Sequence, residues 1–89
     1  MRKMVITHGV ADVETWLSFK QERVESVAAI GGRNAVDLPA QDGSNTVAVL
    51  ADVDDPVAVM AALASRPPEV GAAMQRHGVL PPLTIYIEK

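Results

Sequence analysis

The feature that most constrains this fold is a run of mostly apolar residues, Thr46–Val53. Successive side chains of an extended chain point to opposite faces, so Val47 and Val49 share one face while Ala48 and Leu50 share the other. A strand with one wet face alternates apolar and polar residues, whereas a strand covered on both faces is apolar throughout. The run therefore predicts a central strand, with helices on one side and a cavity or a second subunit on the other.

The length and the lack of cysteine favour self-association. The 89 residues suffice for a single domain, 1–89, and small domains bury too little surface unless disulfides, a metal or oligomerisation supports them. With no cysteine, disulfides and thiolate metal sites are excluded, and His8 and His77 do not have the spacing of a structural zinc site. Hydrophobic residues make up 48% of the chain but include only one Trp, one Tyr and one Phe. Oligomerisation is the support that remains.

The charge balance argues against a nucleic-acid-binding protein. The net charge is −3, and the eight Lys and Arg residues are scattered instead of forming a basic patch. No apolar run approaches the roughly 18–20 residues that a membrane span needs. The Met1–Lys3 start leads into a strand and does not resemble a signal peptide. We expect a soluble cytoplasmic protein that binds neither nucleic acid nor membrane.

The first third of the chain predicts a strand followed by a long helix. Met4–His8 is short, rich in β-branched residues and closed by Gly9, as is typical of a strand. Asp12 is a good N-cap for a helix over Val13–Ile30, which Gly31 and Gly32 end. Apolar residues recur there at helical spacing, and we expect the charged residues to face solvent: Glu14, Glu22, Arg23 and Glu25.

A hairpin is predicted next. Asn34–Leu38 has the pattern of a second strand, and the turn-forming residues 39–45 connect it to the central strand. Pro39 cannot donate a hydrogen bond to a neighbouring strand, which suits a strand near the sheet edge.

The last third predicts two helices and a strand. Asp55 and Pro56 are a good cap and first residue for a helix, and Ser65–Pro68 interrupts it because proline disfavours helix at and before its own position. A second short helix is predicted over Pro68–Arg76. After Pro81 and Pro82, a last strand runs over Leu83–Ile87, with Thr84 and Tyr86 on the face opposite its aliphatic residues.

The order strand, helix, strand, strand, helix, strand predicts an α+β ferredoxin-like fold. With right-handed crossovers, this order gives a four-stranded antiparallel sheet that carries both helices on one face. The other face is then wet or covered by a partner. The apolar residues on both faces of the central strand favour a partner.

Several short motifs carry a resemblance to a known family, and they are spread over nearly the whole chain: His8-Gly9-Val10-Ala11-Asp12 with Trp16, Asn45-Thr46-Val47-Ala48-Val49-Leu50 with Asp52, Ala73-Met74, Gly78-Val79 and Pro81-Pro82. With these motifs the chain resembles the dimeric α/β-barrel superfamily, which includes antibiotic-biosynthesis-monooxygenase-like domains, muconolactone isomerases and haem-degrading monooxygenases. It looks most like short members with no assigned activity. The resemblance implies a homodimer whose sheets pack face to face, each subunit keeping a cavity between sheet and helices. Activity varies within this fold and does not follow from it.

His8, Asp12 and Trp16 are the first candidates for a site. They lie close together around the end of the first strand, where an imidazole can transfer a proton, a carboxylate can orient it and an indole can stack on a ligand. Tyr86 is a candidate hydrogen-bond donor in the cavity or at a dimer interface. The alternative is structural: His8 binds backbone, Asp12 is only an N-cap and Trp16 belongs to the core.

Met74 and His77 are further candidate ligand-binding residues near the end of the last helix. Met74 is either an adaptable wall or core packing, and His77 is either a ligand contact or a cation stabilised by the helix dipole. Haem-degrading relatives use a helix histidine as axial ligand, which His77 resembles. The strand asparagine and helical tryptophan that accompany it there have no counterpart in this chain, so we expect no cofactor.

Asp52, Asp54 and Asp55 form an acidic cluster that would suit a divalent ion. Helix capping explains Asp55, and exposure to solvent explains the other two, so no metal is expected. The signatures of P-loop and Rossmann nucleotide sites, serine hydrolases and zincins are missing from the sequence.

Two functions of different classes remain open. The first is a homodimer that binds a small hydrophobic or aromatic compound and acts on it without a cofactor, by monooxygenation or by isomerisation or cyclisation. The second is a non-catalytic dimeric binding or assembly module.

Overall fold

The computed structural model describes all residues, Met1–Lys89, and contains one four-stranded antiparallel sheet with helices packed on one face. In chain order the elements are β1 (Arg2–Val10), α1 (Val13–Ser18), α2 (Lys20–Ala29), β2 (Gly32–Pro39), β3 (Thr46–Val53), α3 (Pro56–Ser65), α4 (Pro68–Arg76) and β4 (Val79–Ile87). The strand order β2-β3-β1-β4 confirms the predicted α+β ferredoxin-like arrangement.

The predicted central strand is β3, and it lies between β2 and β1. Val47, Val49, Ala51 and Val53 point towards the helices and are almost completely buried. They form the core with aliphatic residues of β1, since Val49 lies opposite Ile6 in the sheet. The side chains on the helix-facing side of β1 and β3 therefore form the part of the hydrophobic core that the sheet contributes.

The predicted helix Val13–Ile30 is interrupted at Phe19, which divides it into α1 and α2, and α2 ends at Ala29, one residue earlier than predicted. The Phe19 amide donates to the carbonyl of Trp16 in a tightened turn, and the same carbonyl accepts from the guanidinium of Arg23. The carbonyl of Trp16, inside the predicted helix, thus accepts a hydrogen bond from a charged side chain. The break allows Phe19 to reach α4, where its ring stacks on His77 with centroids 4.7 Å apart.

The first and last strands are longer than predicted. β4 includes Pro81 and Pro82, which the sequence placed before the strand. β4 lies at the sheet edge, where a residue without an N–H is tolerated. The pairing of β1 with β4 shifts register between Thr7 and Gly9, next to these prolines. Pro39 ends the other edge strand, as predicted.

The helix signals in the last third are confirmed. The Asp55 carboxylate accepts from the amide of Ala58 at 3.1 Å, and Pro56 opens α3. Arg66 ends α3 in a left-handed conformation with φ 50°, and α4 begins at Pro68. None of the helices combines the length and the apolar character that crossing a bilayer demands.

The sheet face turned away from the helices, here called the open face, is largely apolar. Its most exposed large side chains are between 44% and 58% exposed: Val36, Leu38, Leu80 and Tyr86. Val5 and Leu50 lie beside them as opposed residues of β1 and β3. Both faces of the sheet are thus apolar, as the central strand predicted.

Gly32 and Gly71 give a matched test of the packing of α2 on the sheet. A Cβ on Gly32 would lie 2.5 Å from Cγ1 of buried Val27, whereas a Cβ on Gly71 would meet nothing within 4 Å. We expect Gly32→Ala to lower the free energy of unfolding by about 1–3 kcal/mol because α2 must shift. Gly71→Ala, within α4, is expected to raise it by about 0.5–1 kcal/mol. Urea denaturation measures both, and an unchanged Gly32→Ala protein would contradict tight packing here.

Candidate active site

A cavity of about 80 Å³ lies between the helices and the sheet. Four predicted site residues share it, namely His8, Trp16, Met74 and His77. The other polar lining residues are Arg23 and Ser26, and the rest of the lining is aliphatic: Ile6, Val27, Ile30, Val49, Leu63, Val70, Ala73, Val79 and Leu83.

His8 is the only polar residue that β1 contributes to this cavity, and it is buried. Its Nδ1 lies 2.8 Å from the carbonyl oxygen of Gly9. A carbonyl only accepts, so Nδ1 carries the hydrogen and Nε2 keeps a free lone pair. Burial lowers the pKa of His8 below its ordinary 6.5, the Gly9 carbonyl partly opposes this, and the charge of Arg23 adds to the lowering. His8 is therefore a neutral imidazole at pH 7 and can accept a proton at Nε2.

Trp16 is completely buried, and its indole forms a wall of the cavity. Its ring meets that of His8 edge-on, with centroids 6.1 Å apart and planes at 77°. Its Nε1 is buried and has no hydrogen-bond partner. Buried indole N–H groups usually have an acceptor, so Trp16, which lines the apolar cavity, carries a hydrogen-bond donor that no group of the protein uses.

Arg23 forms a buried ion pair with Asp37, which the sequence reasoning missed. Its Nε and Nη2 each donate to one carboxylate oxygen of Asp37 at 2.9 Å, and the two side chains are only 7% and 6% exposed. The guanidinium also lies 3.8 Å above the Trp16 ring, a cation–π contact. The expectation that Arg23 faces solvent is therefore wrong.

A signal for this pair was present in the sequence. Arg23 lies seven residues after Trp16 and four before Val27, which places it on the apolar stripe of the helix. Asp37 likewise interrupts an apolar strand between Val36 and Leu38. A charge at a core-facing position indicates that it has a buried partner. That Arg23 and Asp37 are each other's partner depends on the packing of α2 on β2.

Arg23 also fixes the state of His77. Its Nη1 lies 3.1 Å from Nδ1 of His77, and because arginine only donates, Nδ1 accepts and Nε2 carries the hydrogen. This Nε2 lies 3.5 Å from Oε1 of Glu22, too far for a good hydrogen bond, and is otherwise unpartnered. Burial lowers the pKa of His77, the charge of Arg23 adds to this, and the Glu22 carboxylate opposes it.

The haem alternative does not fit these residues. An iron ligand needs a free imidazole lone pair, and the lone pair of His77 is engaged by Arg23. The cavity of about 80 Å³ is also far smaller than a porphyrin.

Asp12 and Tyr86 lie away from the cavity. The exposed Asp12 carboxylate caps α1, accepting from the hydroxyl and the amide of Thr15 at 2.7 and 2.9 Å, and these bonds lower its pKa. The Gly9 carbonyl, not Asp12, orients the His8 ring. Tyr86 lies on the open face beside Val5, because strand alternation turns it away from the helices.

The carboxylates of the acidic cluster have partners within the protein. Asp52 accepts from Nζ of Lys3 at 2.6 Å and from Asn34 at 3.0 Å. Asp54 pairs with Arg33 at 3.0 Å, and Asp55 caps α3. No three acidic or histidine side chains converge on a common point.

The two buried histidines predict a loss of stability in mild acid. Each has a lowered pKa in the folded protein, so near pH 6.5 the unfolded chain binds protons that the folded chain does not. The two neutral imidazoles contribute to the free energy of unfolding above pH 6.5. This contribution is lost as the pH falls from 6.5 towards the pKa values that the two histidines have in the folded protein. We expect the free energy of unfolding of the wild type to fall between pH 7 and pH 5.

Urea titrations at pH 8, 7, 6 and 5 measure this loss. His8→Gln and His77→Asn should each flatten the profile, and the double variant should flatten it most. A double variant with the wild-type slope would assign the titration to other groups.

Comparisons with known proteins identify this fold in solved structures. No family model matches the sequence, and no curated protein matches it. A crystal structure of an antibiotic biosynthesis monooxygenase superposes with a TM-score of 0.66 at 11% identity, covering 100% of this chain and 97% of that one. A protein from Agrobacterium tumefaciens superposes with a TM-score of 0.67 at 14% identity, covering 100% and 92%.

A further match is described as a dimeric protein of unknown function with a ferredoxin-like fold, from Bacteroides fragilis. It has a TM-score of 0.58 and 18% identity, and the match covers 99% of this chain and 94% of that one. At these identities the likeness concerns the fold, and it extends over the whole chain. The chain therefore has the ferredoxin-like fold of the antibiotic-biosynthesis-monooxygenase-like proteins, as the motifs of its sequence indicated.

Proposed function

We propose that the protein is a homodimer that binds a small, largely apolar molecule in the cavity and acts on it without a cofactor. One observation carries this proposal: the apolar cavity is lined by Trp16, whose buried Nε1 N–H has no partner, and by His8, whose Nε2 keeps a free lone pair. A ligand oxygen would accept from Trp16, while an acidic hydrogen of the ligand would pass to His8.

The reaction class follows from this proton transfer. Removal of a proton by His8 leaves the ligand as an anion, and the Trp16 N–H stabilises charge on its oxygen. Return of the proton to a different carbon gives isomerisation. Attack of the carbanion on a carbonyl carbon of the same molecule gives cyclisation, and the proton then goes to the oxygen that takes up the displaced electron pair. Reaction of the anion with dioxygen as a co-substrate gives monooxygenation of a CH2 group: one oxygen atom becomes a carbonyl oxygen, and the other leaves as water with the two hydrogens of that carbon, so the ligand itself supplies the electrons. Arg23 packs its guanidinium on the Trp16 ring and is itself held by a hydrogen bond to His77, which fixes the position of the indole.

The cavity volume limits the ligand. It is about 80 Å³, roughly half of the 150 Å³ of an apolar cavity that binds benzene. Without rearrangement it therefore accepts a molecule of a few non-hydrogen atoms. An aromatic ligand requires α2 and α4 to move apart, and the flexible Met74 side chain in the wall can adapt to such a movement.

Dimerisation through the open face is part of the same proposal. Val36, Leu38, Leu80 and Tyr86 expose apolar surface there that a second copy would cover. The Bacteroides fragilis protein of similar fold is described as dimeric. Tyr86 then serves the dimer interface instead of the ligand.

A ligand-binding test separates the roles of the two cavity groups. A fragment collection is screened for compounds that raise the melting temperature, since a ligand of the folded state must stabilise it. Trp16→Phe keeps an aromatic ring but removes the N–H, and we expect about tenfold weaker binding, equivalent to one hydrogen bond. The His8→Gln protein is expected to fold and to bind the same compound, but its turnover number should be at least 100-fold lower than that of the wild type.

Glu69→Gln, an exposed change on α4, is the matched control and should behave as wild type. Equal affinities for the wild type and Trp16→Phe would place the ligand outside this cavity. Unfolding of His8→Gln would assign His8 to structure.

The small volume of the cavity favours one alternative, a non-catalytic dimeric binding or assembly module. This alternative predicts that no compound in the screen raises the melting temperature. It also predicts that native mass spectrometry detects a dimer without additional mass.

A further inference from the structure

The cavity lies next to a groove on the outer surface of α2 and α4. The groove is open to solvent, and side chains of both helices and of the turn between α1 and α2 line it. Three residues border the groove and the cavity alike, namely Ser26 of α2 and Val70 and Ala73 of α4. These three residues are here called the α2–α4 seam. At the seam, a single layer of side chains lies between the cavity and the outside.

The polar contacts between α2 and α4 all lie to one side of the seam. The Glu22 carboxylate pairs with Arg76, and Nη1 of Arg23 lies 3.1 Å from Nδ1 of His77. The ring of Phe19 stacks on the same imidazole. These contacts join the start of α2 to the end of α4, so the two helices run antiparallel. From Arg23 towards the end of α2, no hydrogen bond or ion pair crosses to α4.

The helical repeat indicates where the wall is thinnest. One turn along α2 from Glu22 lies Ser26, and one turn back along α4 from Arg76 lies Ala73. A second turn gives Ile30 and Val70, which have larger side chains. The wall between the groove and the cavity is therefore thinnest between Ser26 and Ala73.

We propose that molecules enter the cavity through the α2–α4 seam, between Ser26 and Ala73, and that the Glu22–Arg76 ion pair holds this entrance closed. The pair lines the groove one turn from the entrance, and its side chains are 33% and 53% exposed. An exposed pair contributes little free energy, so it breaks often, while the buried contacts of His77 keep the end of α4 in place. As an entrance for a ligand the seam rests on the proposed function, whereas as the route of solvent to the cavity it does not.

Trp16 makes the entrance measurable without a ligand. It is the only tryptophan, it lines the cavity, and its buried Nε1 N–H has no hydrogen bond. Exchange of this hydrogen for deuterium, followed by NMR, reports how often water reaches the indole. Quenching of the Trp16 fluorescence by acrylamide reports the entry of a small uncharged molecule.

The slowest backbone amides of β1 and β3 report global unfolding in the same exchange experiment. We expect the indole hydrogen of the wild type to be at least about tenfold less protected than these amides, because the seam opens without unfolding. Equal protection would mean that the cavity opens only when the protein unfolds, and would overturn the proposal.

Two leucine variants of α2 locate the entrance. Ser26→Leu adds bulk between the groove and the cavity, and we expect it to slow indole exchange and acrylamide quenching about fivefold, since a filled wall excludes both probes. Ala29→Leu adds bulk to the groove at a position that does not border the cavity, and should leave both rates unchanged. Ala73→Val tests the same entrance from α4. Wild-type rates in both Ser26→Leu and Ala73→Val would place the entrance elsewhere.

Two alanine variants test the ion pair. Glu22→Ala should raise both rates about threefold, the effect expected from the loss of one exposed pair. Asp54→Ala breaks the exposed pair with Arg33, which lies outside the groove, and should change neither rate. Equal effects of the two variants would contradict the role of Glu22. Neither readout uses a ligand, so a cavity that binds no compound of the screen would refute the proposed function and leave the entrance standing.

Discussion

Arg23→Leu is expected to lower the free energy of unfolding by about 3–5 kcal/mol, because it leaves the Asp37 carboxylate buried without its partner. The carboxylate loses both of its 2.9 Å hydrogen bonds, and nothing else in the core replaces them. Domains of this size have a total stability of about 5–15 kcal/mol. The single variant should therefore be close to its unfolding midpoint in dilute urea.

Two further variants test whether the loss comes from the unpaired charge. Asp37→Leu should be destabilised to a similar extent, since it leaves the guanidinium of Arg23 buried instead. The double variant Arg23→Leu with Asp37→Leu removes both charges and should recover most of the loss, which a double-mutant cycle in urea at fixed protein concentration quantifies. A loss below about 1 kcal/mol for Arg23→Leu would mean that water reaches the pair.

Trp16→Ala is expected to lower the free energy of unfolding by about 3–5 kcal/mol, as for other fully buried aromatic residues. The indole lines the cavity together with Arg23 and lies under the guanidinium, so its removal enlarges the cavity and takes away the surface on which Arg23 packs. Added indole should refill the space and raise the melting temperature of Trp16→Ala while leaving that of the wild type unchanged.

Val57→Ala, at a largely exposed position, is the control and should change stability by less than about 0.5 kcal/mol. If indole fails to stabilise a folded Trp16→Ala protein, the core has collapsed into the vacated space. In that case the wall of the cavity is not rigid.

The sequence predicted the fold through patterns that are local. The apolar run Thr46–Val53 and the Asp55 and Pro56 start of α3 were correct because alternation and capping act over a few residues. The break at Phe19 was not predicted, because it depends on the contact of Arg23 with the Trp16 carbonyl and on stacking against distant His77. The extension of β4 through its prolines depended on which strand lies at the edge.

For the same reason, four of the six residues predicted for a site share one cavity. His8, Trp16, Met74 and His77 lie on elements whose buried faces the pattern identified, and the fold brings them to one cavity. Asp12 is near His8 in sequence, but the helix cap engages its carboxylate.

The position of Tyr86 could be read from strand alternation, since it shares a face with Thr84 and not with Ile85. The partner of Arg23 could not be read in this way, because 14 residues separate it from Asp37 and only the packing of α2 on β2 brings them together.

Proline in both outer strands disfavours one way in which two molecules of this protein could associate. A free strand edge is a template on which a neighbouring chain can continue the ladder of backbone hydrogen bonds, the route to fibrils. Here Pro39 in β2 and Pro81 and Pro82 in β4 offer no N–H to such a chain. At these positions a second copy cannot add a strand through backbone hydrogen bonds, so a contact between copies there would have to be made by side chains.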